Sequence, residues 1–458
     1  MERLSEFILE AEALMWGPWM LVLLAATGLL LSVRTKFVQF RRFGYGAKLV
    51  LKGAAHKDHS EKEEGDITPF QALTTALAST VGNGNIAGVA TAIATGGPGA
   101  PFWMILFAFF GMATKYAEAV LGVKFRRVSE DGTMSGGPMY YIEKGLGLKW
   151  LAIAFAGFGL MAGTAVGNMI QANSVAKVFE TQFHLDSWIT GAFLMLITWL
   201  VIVGGIRRIA HVAEGLVPTM VLIYVLSGFT ILALRWYQIP ETVGLILRSA
   251  FTPTAVTGAF LGATVRKAMR LGISRGLLSN EAGLGSAPIA HGAAKTKSPV
   301  RQGFVAMMGV FVDTILVCSM TSLVILISGK WTDRLVDGTQ LSGSPLTAEA
   351  FASVLYLGQF KIGAYIVAIS SILFGYSTII GWSYYNEQFV TYIWGRKVVP
   401  WYRWAFCVVC VIGAIFPIPL VWSFGQTCVA FMALPNLIAL ILLSGVVRKE
   451  TLDYREWV

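Results

Sequence analysis

The nine residues TVGNGNIAG, Thr80 to Gly88, stand near the middle of an apolar run over 67–95. Each glycine inside a helix costs about 1 kcal/mol relative to alanine, and backbone groups freed at membrane depth must find other partners. With three glycines and two asparagines together, the string predicts a helix broken halfway along its length. A second run, 255–292, carries GISRGLLSNEAGLGSAPIA from Gly272 to Ala290. Glycines stand there at 272, 276, 283 and 285, with Pro288 and the pair Asn280-Glu281 among them. A second break is predicted.

Around these two strings the chain is 55% hydrophobic and 14% charged over 458 residues. At about 20 residues per crossing this supplies about eleven or twelve membrane helices, and it excludes a secreted disulfide scaffold, a disordered regulator and an ordinary soluble enzyme. The apolar runs are Leu14 to Val33, then 67–95, 100–123, 150–176, 187–206, 212–234, 255–292, 302–328, 362–390, 401–420 and 424–446. The first follows an acidic start (Glu2, Glu6, Glu10, Glu12), the reverse of a signal peptide, and is expected to remain as a helix. The prediction is an all-α polytopic membrane protein with eleven transmembrane helices.

The net charge of +10 is distributed unevenly. Connections 34–65, 124–150, 204–213, 295–301, 391–403 and 447–458 hold 24 of the 36 Lys and Arg; the alternate set holds 6. Positive loops stay cytoplasmic, so the expected orientation is N-terminus outside and C-terminus inside. The basic surplus thus reads as topogenic, with no nucleic-acid partner.

Each interrupted run opens a block of five. Residues 67–234 form the first repeat and 255–446 the second, joined by an extracellular linker at 235–254. Residues 1–66 add an N-terminal helix with a basic cytoplasmic loop, and 447–458 a cytoplasmic tail. Because five is odd, the blocks enter the membrane from opposite faces. Two blocks of opposite topology, each led by a Gly-interrupted helix, point to a transporter with inverted repeats and a midplane site.

A broken helix exposes amides that suit a carboxylate and carbonyls that suit Na⁺ or an ammonium. Gly82, Asn83, Gly84 and Asn85 leave the main chain open to a ligand; close helix packing of the GxxxG kind is the plainer alternative. Asn168, Gln171 and Ser174 recur every three residues, so they share a helix face, either toward a zwitterion or as interhelical bonds. Ser370, Ser371, Ser377 and Thr378 offer hydroxyls to a hard cation, or bond their own helix.

Ionisable residues at membrane depth must face inward. Lys115 and Glu118, three apart, are expected to pair. Glu281 is expected to brace the second break against Arg275, with proton carriage as its other reading, and Asp313 to line a cation path. Cys318, Cys407, Cys410 and Cys428 lie in apolar runs and read as buried thiols. The five histidines form no zinc motif, and SGGPMYYIEKGLG (Ser135 to Gly147) reads as a cytoplasmic loop rather than a phosphate loop.

Several strings together resemble one family: ALASTVGNGNIAGVATAIATGGPGAPFW (Ala76 to Trp103), FFGMATKYAEAVLGVKFR (Phe109 to Arg126), SGGPMYYIEKGLG, RGLLSNEAGLGSAPIAHGAAKT (Arg275 to Thr296) and FGYSTIIGWSYYNE (Phe374 to Glu387). In order and spacing they are similar to the alanine/glycine:cation symporters, also called sodium:alanine symporters. The resemblance implies one extra N-terminal helix before a 5+5 inverted-repeat core, LeuT-like and of the APC superfamily type. It implies a plasma-membrane, multi-pass symporter, not an enzyme, that takes up alanine and glycine with inward Na⁺ by alternating access.

Carried over residue by residue, the resemblance implies sodium ligation by the Ala78 and Val81 carbonyls with the Phe374 carbonyl, Ser377 and Thr378. It implies substrate contacts from Thr80, Asn83, Gly84, Gln171, Leu278, Ser279 and Gly283. Asn83, Leu278 and Asn386 stand where the family usually has Thr, Phe and Gly. The implied partners are a small amino acid, Na⁺ and the bilayer. No cofactor and no obligatory protein partner are expected. The rival coupling ion is H⁺, through Glu281 or Asp313. A channel is disfavoured because each half supplies a single Gly/Asn segment. A membrane enzyme using Ser286 or His291 is disfavoured because neither has a nucleophile–base partner at sensible spacing.

Overall fold

The computed structural model describes residues 2–55, 64–128, 132–252, 265–334, 338–416 and 419–455. It is helical throughout, apart from the antiparallel pair Arg127–Val128 and Met134–Ser135 and a few isolated bridges. Among the described residues, eight helices are long and apolar enough to cross a membrane. They are Glu6–Arg34, Ala100–Lys124, Lys149–Thr181, Gly205–Leu234, Pro299–Ser328, Ile362–Trp394, Arg396–Ile415 and Val421–Leu442. The first bends at Gly17, where Pro18 opens a new helix without an amide to donate.

The remaining three predicted runs take other forms. The run 187–206 becomes the 16-residue helix Ser187–Ile202. The run 67–95 divides into Pro69–Thr80 and Val89–Gly96, with a π-helical turn, Gly84–Gly88, between them. The run 255–292 divides into Val265–Asn280 and Ala287–Gly292. Its first residues, 255–264, lie outside the described residues, as do 56–63 of the basic loop and part of the boundary expected at 254.

Several shorter helices lack the membrane-length apolar signal that marks the spans in the sequence. Phe43–Ala55, Ile239–Phe251 and Gly343–Ala352 occupy connections expected to be polar. Gly343–Ala352 buries Leu346 and Phe351, and the Phe351 ring stacks on Tyr224 at 5.3 Å. The string expected as a cytoplasmic loop forms the helix Pro138–Leu146. Pro138 starts it, and Gly147 at φ 73° ends it in the left-handed conformation that glycine adopts without strain.

Lipid tails are as apolar as leucine, so helix association relies on close backbone approach and interhelical hydrogen bonds. A β-carbon on Gly122 would stand 2.9 Å from the Pro288 carbonyl, and one on Gly111 3.2 Å from Ala282 Cβ. These glycines seat Ala100–Lys124 directly behind the second break. On the other side, β-carbons on Gly163 and Gly167 would run into Trp382. Asn386 packs there too, donating to the Leu160 carbonyl and Thr164 Oγ1 at 3.3 Å each. Asn386 thus serves helix packing. Arg403 grips Glu387 with two hydrogen bonds of 2.8 and 3.0 Å, clamping Val399–Ile415 to Ile362–Trp394.

Candidate functional site

Pro69–Thr80 starts with a capping box, Thr68 and Gln71 each bonding the other's amide, and ends where Val81 turns extended (φ −74°, ψ 93°). The Gly82 amide donates to Asn85 Oδ1 at 2.9 Å. The Ala78 carbonyl therefore loses the donor that a continuing helix would supply four residues on. Val81, Gly82, Asn83, Asn85 and Ile86 are buried, yet Gly84 among them is exposed. A β-carbon there would lie 3.8 Å from Ser279 Cα, the second-last residue of Val265–Asn280. The two breaks thus meet across an opening beside Gly84.

Asp313, in the π-helical segment Phe311–Cys318, ties the breaks together. It is buried and accepts from Asn85 Nδ2 at 2.7 Å, Ser279 Oγ at 2.9 Å and Thr314 Oγ1 at 2.7 Å. Asn280 Nδ2 in turn donates to Thr314 Oγ1 at 3.0 Å. The sequence offers Asp313 as lining a cation path or carrying a proton; its bonds to residues 228 and 34 positions away come from the fold. From the opposite side, Thr347 Oγ1 donates to the Ile86 carbonyl at 3.0 Å, so Gly343–Ala352 covers the first break.

A second polar group surrounds Asn83. Its Nδ2 reaches Gln171 Oε1 at 3.3 Å, and its Oδ1 accepts from Ser371 Oγ at 2.5 Å. Gln171 follows the π-helical segment Gly163–Met169. π-turns gather at functional sites, and three of them contribute to this region. Asn168 instead donates to the Phe406 carbonyl at 2.7 Å and Ser174 to its own helix, so the shared face expected for these residues divides.

Thr378, one of the implied sodium ligands, lies against the first break at Gly82. Ser377 and Thr378 hydroxyls both donate to the Phe374 carbonyl, at 2.9 and 2.8 Å, which leaves their oxygen lone pairs available. A β-carbon on Gly82 would stand 2.7 Å from Thr378 Oγ1, and one on Gly381 2.7 Å from the Ser79 amide. Ser79, near the end of Pro69–Thr80, and Gly82 just beyond it therefore pack on Ile362–Trp394 at Gly381 and Thr378.

Among the implied substrate residues, the structure brings Asn83 to Gln171 and Gly84 to Ser279. The Thr80 hydroxyl turns back to the Ala76 carbonyl at 3.1 Å. Two residues are placed elsewhere. Gly283 packs among Leu24, Leu437 and Thr114, and its amide donates to Glu118 Oε1 at 3.1 Å. Leu278 lines a separate cavity with Glu12, Trp16 and Arg275.

The second break carries its own bracing. Glu281, Gly283 and Gly285 all have positive φ. Glu118 accepts from the Gly283 and Gly285 amides and from Asn436 Nδ2, at 3.1, 3.0 and 2.7 Å. Asn436 also donates to the Gly283 carbonyl at 2.9 Å and accepts from Tyr141. Glu118 therefore binds the break rather than Lys115, whose Nζ is buried without a hydrogen-bond partner among the described residues. Glu281 is held by Ser286 Oγ and by Trp382 Nε1 at 3.1 Å, rather than by Arg275. All four cysteines are free and buried, and no group of three or more potential metal-ligating residues occurs among the described residues.

Membrane-length helices with two interrupted ones meeting over polar groups define a helical membrane transporter. The sequence model of the sodium:alanine symporter family matches residues 1–458, and the chain belongs to that family. It is 49% identical to the sodium/alanine symporter AgcS of Methanococcus maripaludis, over 97% of this chain and 96% of that protein. It is 35% identical to the probable sodium/glutamine symporter GlnT of Bacillus subtilis, over 99% of this chain and 91% of that one. Among solved structures, MhsT in complex with L-phenylalanine aligns with a TM-score of 0.58, covering 86% of this chain and 94% of that one. At 14% identity that likeness speaks for the fold alone. The chain is a multi-pass membrane protein that carries out Na⁺-coupled amino-acid symport, and it is a transporter rather than an enzyme.

Proposed function

We propose that this symporter takes up small neutral amino acids, alanine and glycine, with inward Na⁺ by alternating access. The observation that carries this reading is the exposed Gly84, open to a ligand between the two helix breaks and facing Ser279. The substrate sits beside Thr80, Asn83, Gly84, Gln171 and Ser279, where the exposed main chain at Gly84 receives its carboxylate. Na⁺ binds between the Ala78, Val81 and Phe374 carbonyls and the Ser377 and Thr378 hydroxyls. Its positive charge steadies the end of Pro69–Thr80 against Ile362–Trp394, which raises affinity for the zwitterion.

The working unit in this reading has eleven crossings: the eight long helices, Ser187–Ile202, and the two interrupted helices. Residues 67–234 and 255–446 are the inverted five-helix repeats that rock about the site. The N-terminus is outside and the C-terminus inside the plasma membrane, as the 24-to-6 basic asymmetry supports. One Na⁺ crossing 100 mV gains about 2.3 kcal/mol, and a tenfold gradient about 1.4. Together they sustain accumulation of several hundred-fold.

The test is uptake of radiolabelled alanine into proteoliposomes under an inward Na⁺ gradient, with glycine and glutamine as competitors. Uptake that persists when K⁺ or choline replaces Na⁺ would sink sodium coupling. Three donors aimed at Asp313 satisfy a carboxylate, which supports a fixed negative charge there over a proton carrier.

A further inference from the structure

Away from the transport site, three candidate spans begin or end around one cavity. Lys149 opens the span Lys149–Thr181, Trp394 closes Ile362–Trp394, and Arg396 opens Arg396–Ile415. Between them lies a cavity of about 520 Å³. Its walls carry Arg127, Lys149 and Arg396, and a single carboxylate, Glu143. Glu143 is already engaged, accepting from Tyr392 OH at 2.8 Å. Tyr140 packs edge-on against Tyr392, with ring centroids 5.5 Å apart, and forms the floor beside them.

Three cations from three separate segments thus surround one engaged acid. The first turn of Lys149–Ala162 adds amides that no helical carbonyl accepts, a further source of positive potential. Lys149 and Arg127 are exposed; Arg396 is half-buried and donates to Thr133. Ile153, 45% exposed, lines the cavity, and Trp150 and Trp394, the chain neighbours of its Lys149, Ile393 and Gly395, are 67% and 58% exposed. Tryptophans at the ends of spans sit at headgroup level, and basic pockets between helices at that level take anionic lipid headgroups.

We propose that this cavity binds the phosphate headgroup of an anionic phospholipid, with Arg127, Lys149 and Arg396 around the phosphate and the acyl chains lying along Trp150, Ile153 and Trp394. A soluble phosphate could use the same cations but would leave those exposed apolar side chains uncovered, so the occupant is the lipid. The inference rests on the membrane placement of the spans and is independent of which ion or amino acid is carried.

The test is native mass spectrometry of the purified full chain, titrated with phosphatidylglycerol or phosphatidylcholine of matched chains. The wild type should retain phosphatidylglycerol at least tenfold better. The triple variant R127Q/K149Q/R396Q should lose that preference, while R127K/R396K keeps it. Ile153→Trp retains all three cations and adds bulk to the cavity wall, so it should also weaken retention and covers the event that the triple variant misfolds. Glycerol 3-phosphate should fail to displace the lipid at equal concentration. Equal retention of the two lipids by the wild type, an unchanged preference in the triple variant, or displacement by glycerol 3-phosphate would each overturn the proposal.

Discussion

Asn85 donates its side-chain amide to Asp313 Oδ1 at 2.7 Å while its own Oδ1 accepts from the Gly82 amide at 2.9 Å. One side chain therefore both stops the first helix and fastens the stop to Phe311–Cys318. The geometry of the opening beside Gly84 depends on this bridge, because the same carboxylate also holds Ser279 from the second broken helix.

Asp313→Asn should disable transport without unfolding the protein. The variant removes the charge that Asn85, Ser279 and Thr314 donate to and puts an amide nitrogen in place of one acceptor oxygen; hydrogen bonds to a charged group are worth about 1.5–3 kcal/mol each. Initial alanine uptake in proteoliposomes should fall by roughly tenfold or more. Wild-type uptake with an unchanged Na⁺ dependence would remove Asp313 from the site.

Gly82→Ala tests the proposed sodium contact. Its β-carbon would lie 2.7 Å from Thr378 Oγ1 and displace that hydroxyl, whereas a β-carbon on nearby Gly88 meets nothing within 4 Å. The Na⁺ concentration for half-maximal uptake should rise roughly tenfold in G82A, equivalent to about 1.4 kcal/mol. G88A should match the wild type. Equal behaviour of the two variants would argue that the Gly82–Thr378 contact is packing alone.

Glu118→Ala should destabilise the second break. It leaves the Gly283 and Gly285 amides and Asn436 Nδ2 without their shared acceptor, at a cost of about 1–3 kcal/mol for each buried orphan. Thermal unfolding in detergent should shift down by several degrees. Glu118→Gln keeps one acceptor oxygen and should cost less. Because Asn436 shares the network, E118A/N436A should fall short of the sum of the single losses.

Arg403→Gln leaves Glu387, only 3% exposed, without its guanidinium partner. Breaking a fully buried ion pair from one side costs about 3–5 kcal/mol, and the part-exposed Arg403 side chain brings the expected loss to about 1–3 kcal/mol. The double variant E387Q/R403Q removes both charges and should recover much of the loss, read from the same unfolding curves. A double variant no more stable than R403Q would show that the side chains matter for shape rather than charge.

The breaks themselves were legible in sequence because they follow from local backbone chemistry: Gly82, Gly84, Gly283 and Gly285 destabilise a helix wherever it packs. The long spans were legible for an equally local reason, since about 20 apolar residues suffice to cross a bilayer. The short helices Gly343–Ala352 and Pro138–Leu146 were not, because their lengths carry no membrane signal and burial against distant segments holds them.

Partner choice was the part that local reading could not supply. Spacing alone paired Lys115 with Glu118, but the carboxylate turns to Gly283, Gly285 and Asn436, the last 318 positions away. The same contacts withdraw the Gly283 amide from any substrate. The sequence by itself marked the membrane-length apolar helices and where two helices must open, because both depend on neighbouring residues. Only the tertiary structure decided which freed groups remain available to a ligand and which are consumed in bracing. A buried donor bonds whichever acceptor the packing brings within about 3 Å, regardless of how far apart the two lie along the chain.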